Sequence, residues 1–130
     1  MKFVIALYAP PQAPSSRRTL RFAEALLAGG HEITRLFLYQ DGIYNAASTQ
    51  VVPQDEVDLS HEWRQFIQRH QLEGVVCIAA ALRRGVLDVP EAQRHARTAS
   101  CLAEGWTLSG LGQLHEAIQQ ADRLICFGGP

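Results

Sequence analysis

Cys77 closes an apolar run and opens onto small residues: Gly74-Val75-Val76-Cys77-Ile78 is followed by Ala79-Ala80-Ala81-Leu82 and then by Arg83-Arg84-Gly85. Val75, Val76 and Ile78 are β-branched and follow a glycine, which reads as a strand, Gly74 to Ile78, covered on both faces in a parallel sheet. Cys77 then falls near the carboxyl end of that strand. In open α/β sheets this is the edge where ligands bind, because the loops leaving the strands surround a crevice there. The alanines put little bulk beside the sulfur, so another sulfur atom can approach it. These features suggest a nucleophilic thiol that carries sulfur. Free cysteine is also among the most buried residue types, and a core position accounts for an apolar setting equally well.

A sulfur relay needs one thiolate. It attacks the sulfane sulfur of an incoming persulfide by the displacement used in thiol–disulfide exchange, and the new persulfide is the electrophile for the next thiolate. Neither metal nor redox cofactor is required, and no cofactor is expected. A nearby cation favours the ionised form of such a sulfur. Arg83 and Arg84 supply that field if the chain turns back after the alanines; otherwise they are a solvated or subunit-facing pair. Tyr44 and Asn45, in the stretch Gln40-Asp41-Gly42-Ile43-Tyr44-Asn45-Ala46-Ala47, either shape the cysteine loop or make a turn, for which Asn is well suited.

The other candidates are weaker. Cys101 and Cys126 have no CxxC partner and no adjacent base, so they read as structural thiols in a reducing compartment. His31, His61, His70, His95 and His115 show neither HExxH nor Cys/His ligand spacing, so no metal site is expected. Ser109-Gly110-Leu111-Gly112 imitates a phosphate loop without its lysine, and reads as a helix entrance packed near the active edge. The terminal Gly128-Gly129 resembles the end of ubiquitin-like sulfur carriers, but Pro130 blocks the glycine carboxylate those proteins use.

The elements that must hold Cys77 are legible from periodicity. Lys2 to Tyr8 reads as a first strand, and the prolines of Ala9 to Pro14 break it. Ser15 or Ser16 is expected to cap a helix over Arg17 to Ala28, which Gly29-Gly30 ends. His31 to Tyr39 is a second strand, so the loop after it shares an edge of the sheet with Cys77. Residues Ser48 to Asp58 read as irregular surface. A helix from Ser60 to about Arg69 packs Trp63, Phe66 and Ile67 and leads into the Cys77 strand. Val86 to Arg97 reads as a short helix inside a long mobile connection, followed by a short strand near Trp106 to Leu108. A last helix over Leu114 to Gln120 and a strand over Asp122 to Phe127 complete an open α/β/α sandwich.

A length of 130 residues and 47% apolar composition suit one domain, residues 1–130, with a full core. Twelve Lys and Arg against thirteen Asp and Glu leave a formal charge of −1, which provides no electrostatic footprint for gripping nucleic acid directly. The apolar run at the amino terminus stops at Pro10-Pro11, too short for a signal-peptide core or a membrane span, so a cytoplasmic protein is expected.

Three blocks, in order and in register, resemble sulfurtransferase subunits of the DsrE family. They are Val75-Val76-Cys77-Ile78-Ala79-Ala80-Ala81-Leu82-Arg83-Arg84-Gly85-Val86, Gly42-Ile43-Tyr44-Asn45-Ala46, and Thr107-Leu108-Ser109-Gly110-Leu111-Gly112. The resemblance implies a mainly parallel five-stranded sheet between helices, of flavodoxin-like appearance, and puts the family's catalytic cysteine on Cys77. It further implies TusB- and TusC-like sister subunits in a heterohexamer, a TusA-like sulfur donor and a TusE-like acceptor. The end use it implies is 2-thiolation of the wobble uridine in certain tRNAs.

Overall fold

Apolar strands alternate here with amphipathic helices, and a helical connection returns the chain to the edge it started from, which makes the strands parallel. The computed structural model describes residues 1–128; of the terminal Gly-Gly-Pro, Gly129 and Pro130 lie outside the described residues. In chain order the elements are β1 (Lys2–Leu7), α1 (Pro14–Ala28), β2 (Glu32–Leu38), a 3-10 helix (Gln40–Ala46) and α2 (Leu59–His70). They continue with β3 (Gly74–Cys77), α3 (Ile78–Arg83), α4 (Val89–Arg94), β4 (Trp106–Ser109), α5 (Leu111–Gln120) and β5 (Arg123–Phe127). The five strands form one sheet in the order β4-β3-β2-β1-β5, with every pairing parallel.

Helices cover both faces. On one face Phe22 of α1 packs on Phe127 of β5 with ring centroids 5.3 Å apart, and Ile67 of α2 lies against Gly74 of β3. On the other, Arg35 of β2 donates through Nη1 to the Gln113 carbonyl of α5 at 2.9 Å. The result is a three-layer α/β/α sandwich, as the order of apolar and amphipathic segments requires. Its core includes Ile5, Leu7, Leu36, Phe37, Leu38, Trp63 and Val76, all essentially inaccessible to solvent. Trp63 and Trp106 meet edge to face at 6.3 Å.

Several boundaries differ from the sequence reading, each for a local reason. Helix α1 starts at Pro14, whose fixed φ suits a first helical position, and its N-cap is Ala13. Ser16, expected as a cap, instead donates to the carbonyls of Ala9 at 2.8 Å and Pro10 at 2.7 Å, pinning the loop after β1. Asp58 caps α2 by accepting from the His61 amide, and Ser60 donates to the Ala47 carbonyl at 2.8 Å. Helix α5 begins three residues earlier than expected, at Leu111. The connection read as mobile, Val86 to Arg97, is tied near its start, where the Leu87 carbonyl accepts from the amides of Cys101 at 2.9 Å and Leu102 at 3.1 Å.

One difference bears directly on the site. Ile78, read as strand, is the first residue of α3. Val76 pairs with Leu38, the last residue of β2, and Cys77 pairs with Ser109, the last of β4, so beyond Cys77 neither neighbour offers a ladder. The alanine-rich segment then follows its own propensity into a helix.

Candidate functional site

Strand β3 is short and covered on both faces, and that fixes where its sulfur lies. Gly74 and Val76 face α2; a Cβ on Gly74 would come within 2.7 Å of the Trp106 ring, so this strand starts flush against the core. Side chains alternate along a strand, and Val75 and Cys77 therefore face the α5 side. Cys77 is 3% exposed. It is nevertheless a wall residue of a cleft of about 600 Å³ that opens to solvent at the carboxyl edge of the sheet.

Strand register explains the rest of the lining. Beside Cys77 the chain leaving β2 supplies Tyr39, Gln40 and Asp41, and the chain leaving β4 supplies Gly110 and Leu111, which open α5. Helix α3 contributes Ile78, Ala79, Ala80, Arg83 and Arg84. Six residues of helix advance the backbone by about 9 Å, so the two arginines are attached nearly two turns beyond Cys77 and line the same cleft. The helix stops there because Gly85 takes a left-handed φ of 76°, which lets the Val86 amide reach the Ala81 carbonyl at 3.0 Å and close the last turn.

The two arginines are not equivalent. Arg84 donates from Nε to Asp41 Oδ1 at 2.9 Å and from Nη1 to the Ala80 carbonyl at 3.2 Å, so its charge is paired and its guanidinium held. Arg83 is exposed, and its guanidinium makes no hydrogen bond or ion pair among the described residues. Two cations and one carboxylate line the cleft, Arg83 and Arg84 against Asp41, leaving one positive charge over.

Tyr44 and Asn45 do not line this cleft. Asn45 is fully buried and donates through Nδ2 to the carbonyls of Ala9 and Gly42, both at 3.0 Å, tying the 3-10 helix to the loop after β1. Tyr44 is half-buried and packs against the core. The sequence reading put the loop after β2 on the correct edge, but singled out its later residues. The signal for Tyr39 to Asp41 is register: they extend β2 past its last paired residue, beside Cys77. Gly110 and Leu111 belong to the segment read as a helix entrance near the active edge.

Cys101 is partly buried near the Gly85 carbonyl, and Cys126 is exposed on β5. Beside Cys126, burial pushes the Tyr8 hydroxyl above its ordinary value, and the neighbouring Cys126 and Tyr39 act in the same direction. Tyr39 stacks edge to face on Tyr8 at 5.5 Å, joining that corner to the wall of the Cys77 cleft. Among the described residues no group of three or more His, Cys, Asp or Glu side chains could hold a metal ion, and no helix is long and apolar enough to cross a membrane.

The same arrangement of elements occurs in the crystal structure of the ychN protein from E. coli, with a TM-score of 0.75 over 97% of each chain; at 21% identity this likeness is one of fold. Sequence relationships reach further. The sulfurtransferase TusD homolog of Pseudomonas aeruginosa is 61% identical over 129 residues, covering 99% of this chain and 98% of its own. The sulfurtransferase TusD homolog of Aliivibrio fischeri is 43% identical over 113 residues, 87% of each chain. The family model described as DsrE/DsrF-like matches residues 1–127, and the chain belongs to that family.

Proposed function

We propose that this chain is a sulfurtransferase subunit of a sulfur relay, a single domain in which Cys77 is transiently persulfidated. The observation that carries the reading is the position of Cys77: the one cysteine on the wall of the cleft at the sheet's carboxyl edge, in a chain so close to proteins named sulfurtransferases. In the forward step the Cys77 thiolate attacks the terminal sulfur of a donor persulfide. A sulfur–sulfur bond forms on Cys77, the donor's sulfur–sulfur bond breaks, and the donor leaves as a thiolate. In the second step the acceptor's thiolate attacks the outer sulfur held on Cys77, and Cys77 leaves as the thiolate it began as. Electrons and atoms balance without a metal or an external oxidant.

The protein's own contribution is positional. Ala79 and Ala80 leave the approach free of bulk, while Arg83 adds a positive charge to a wall that thiolates must approach. The family resemblance supports the finer reading: TusB- and TusC-like subunits as partners in a hetero-oligomer, a TusA-like donor, a TusE-like acceptor, a cytoplasmic location and tRNA wobble-uridine 2-thiolation as the outlet.

A second reading has one observation in its favour. Cys77 is 3% exposed, which also suits a non-catalytic structural subunit of such an assembly. Incubating the protein with a persulfide donor and locating the added sulfur by peptide mass separates the two. Sulfur on Cys77 supports transfer; sulfur on Cys101 or Cys126 alone, or an unreactive Cys77, supports the scaffold.

A further inference from the structure

We infer that the Cys77 cleft accepts a low-molecular-weight persulfide bearing a free carboxylate, and that Arg83 recognises that carboxylate. The inference rests on the sulfur-transfer reading and names a substrate class for it.

Three observations carry it. The cleft measures about 600 Å³, whereas transfer of one sulfur between macromolecules needs contact at a single atom. Volumes of about 300–1,000 Å³ are those of small-molecule sites. Access is the second: Cys77 is 3% exposed, so a donor must place its sulfur inside the cleft, which a slender molecule can do as readily as the protruding cysteine of a carrier protein. Charge is the third. Asp41 neutralises Arg84, so the remaining positive charge in the lining is that of Arg83, whose guanidinium presents a planar pair of donors suited to a carboxylate. Ile78, Ala79 and Leu111, the last 51% exposed, line the same cleft and give it apolar surface for the carbon skeleton of a thiol.

The step balances as written for any persulfide. The Cys77 thiolate takes the terminal sulfur, and the small thiolate departs still carrying the carboxylate held by Arg83. Cysteine persulfide and glutathione persulfide both have the required chemistry.

The test compares two synthetic donors of one size, the persulfides of N-acetylcysteine and of N-acetylcysteine amide, which differ in the carboxylate alone. Sulfur loading of Cys77 is followed by mass against donor concentration. The expected result is saturation with the carboxylate donor at about one tenth of the concentration the amide requires, the worth of one charge-assisted hydrogen bond at a wet site. In Arg83→Ala, and in Arg83→Gln if the first folds poorly, that ratio falls towards one. Cysteine and glutathione persulfides, run in parallel, tell which skeleton the cleft prefers. A ratio near one in the unaltered protein, or a ratio that survives both Arg83 substitutions, overturns the inference while leaving sulfur transfer intact. No sulfur on Cys77 from any donor, protein persulfides included, overturns the sulfur-transfer reading itself.

Discussion

Arg84 is tied to Asp41 at 2.9 Å in the lining of the Cys77 cleft, joining the carboxyl end of α3 to the segment that leaves β2. The bond leaves its neighbour Arg83 as the unpaired cation of the site. It also makes the shape of the cleft depend on two segments far apart in the chain.

That ion pair is a positioning contact of small energetic worth. Asp41 is 59% exposed and Arg84 25%, so a double-mutant cycle with Arg84→Ala and Asp41→Ala should return a coupling of about 0.5 kcal/mol, within the usual range for wet pairs. Chemical denaturation measures it. A coupling above about 2 kcal/mol would mean the pair is far better shielded from water than its exposure indicates.

Replacing Cys77 with serine should abolish persulfide loading and leave the fold in place. A hydroxyl among apolar neighbours is expected to lower stability by about 1 kcal/mol, and the circular dichroism spectrum should not change. Cys101→Ser and Cys126→Ser should load sulfur as the unaltered protein does. Retained loading in Cys77→Ser would move the site elsewhere.

Gly42 sits where the 3-10 helix presses on the end of β1. A Cβ there would lie 2.0 Å from the Leu7 carbonyl oxygen, and neither backbone can yield without moving the segment that carries Tyr39 to Asp41. Gly42→Ala should therefore cost on the order of 3 kcal/mol and slow sulfur loading together. A melting temperature equal to that of the unaltered protein would contradict this packing.

Asn45→Ala removes a buried amide that satisfies two carbonyls, those of Ala9 and Gly42. Leaving buried acceptors unpaired should cost about 3 kcal/mol. Because Asn45 does not line the cleft, the folded variant should load Cys77 at close to the normal rate, which separates its role from that of Arg83.

Tyr8 provides a pH-dependent readout of the corner beside the cleft. Burial first, then Cys126, hold its proton above the ordinary tyrosine value of 10.0. Folded protein thus binds this proton where unfolded chain releases it. The resulting stability is fully present below the ordinary value and is lost as pH rises through the raised one. The phenolate absorbance that is lost in Tyr8→Phe should appear above the ordinary tyrosine value and move part of the way back in Cys126→Ser. A Tyr8 signal that titrates at the ordinary value would refute the assignment.

The alternation of apolar runs with amphipathic segments was enough to determine the layered sheet and to put Cys77 at a strand's carboxyl end. Those patterns report burial, and burial on both faces has few architectural solutions. Helix starts were less legible, because Ser16 and Ser60 satisfy distant carbonyls that only the folded chain brings near. What tertiary structure alone decided is who stands beside the sulfur. Tyr39 to Asp41 and Gly110 to Leu111 meet Cys77 through the register of three parallel strands, a relationship between segments remote in the chain that no local pattern encodes. The pairing of Arg84 with Asp41 rather than Arg83 was settled the same way: adjacent arginines are chemically alike in sequence, and the geometry of one helix turn makes one a brace and leaves the other free.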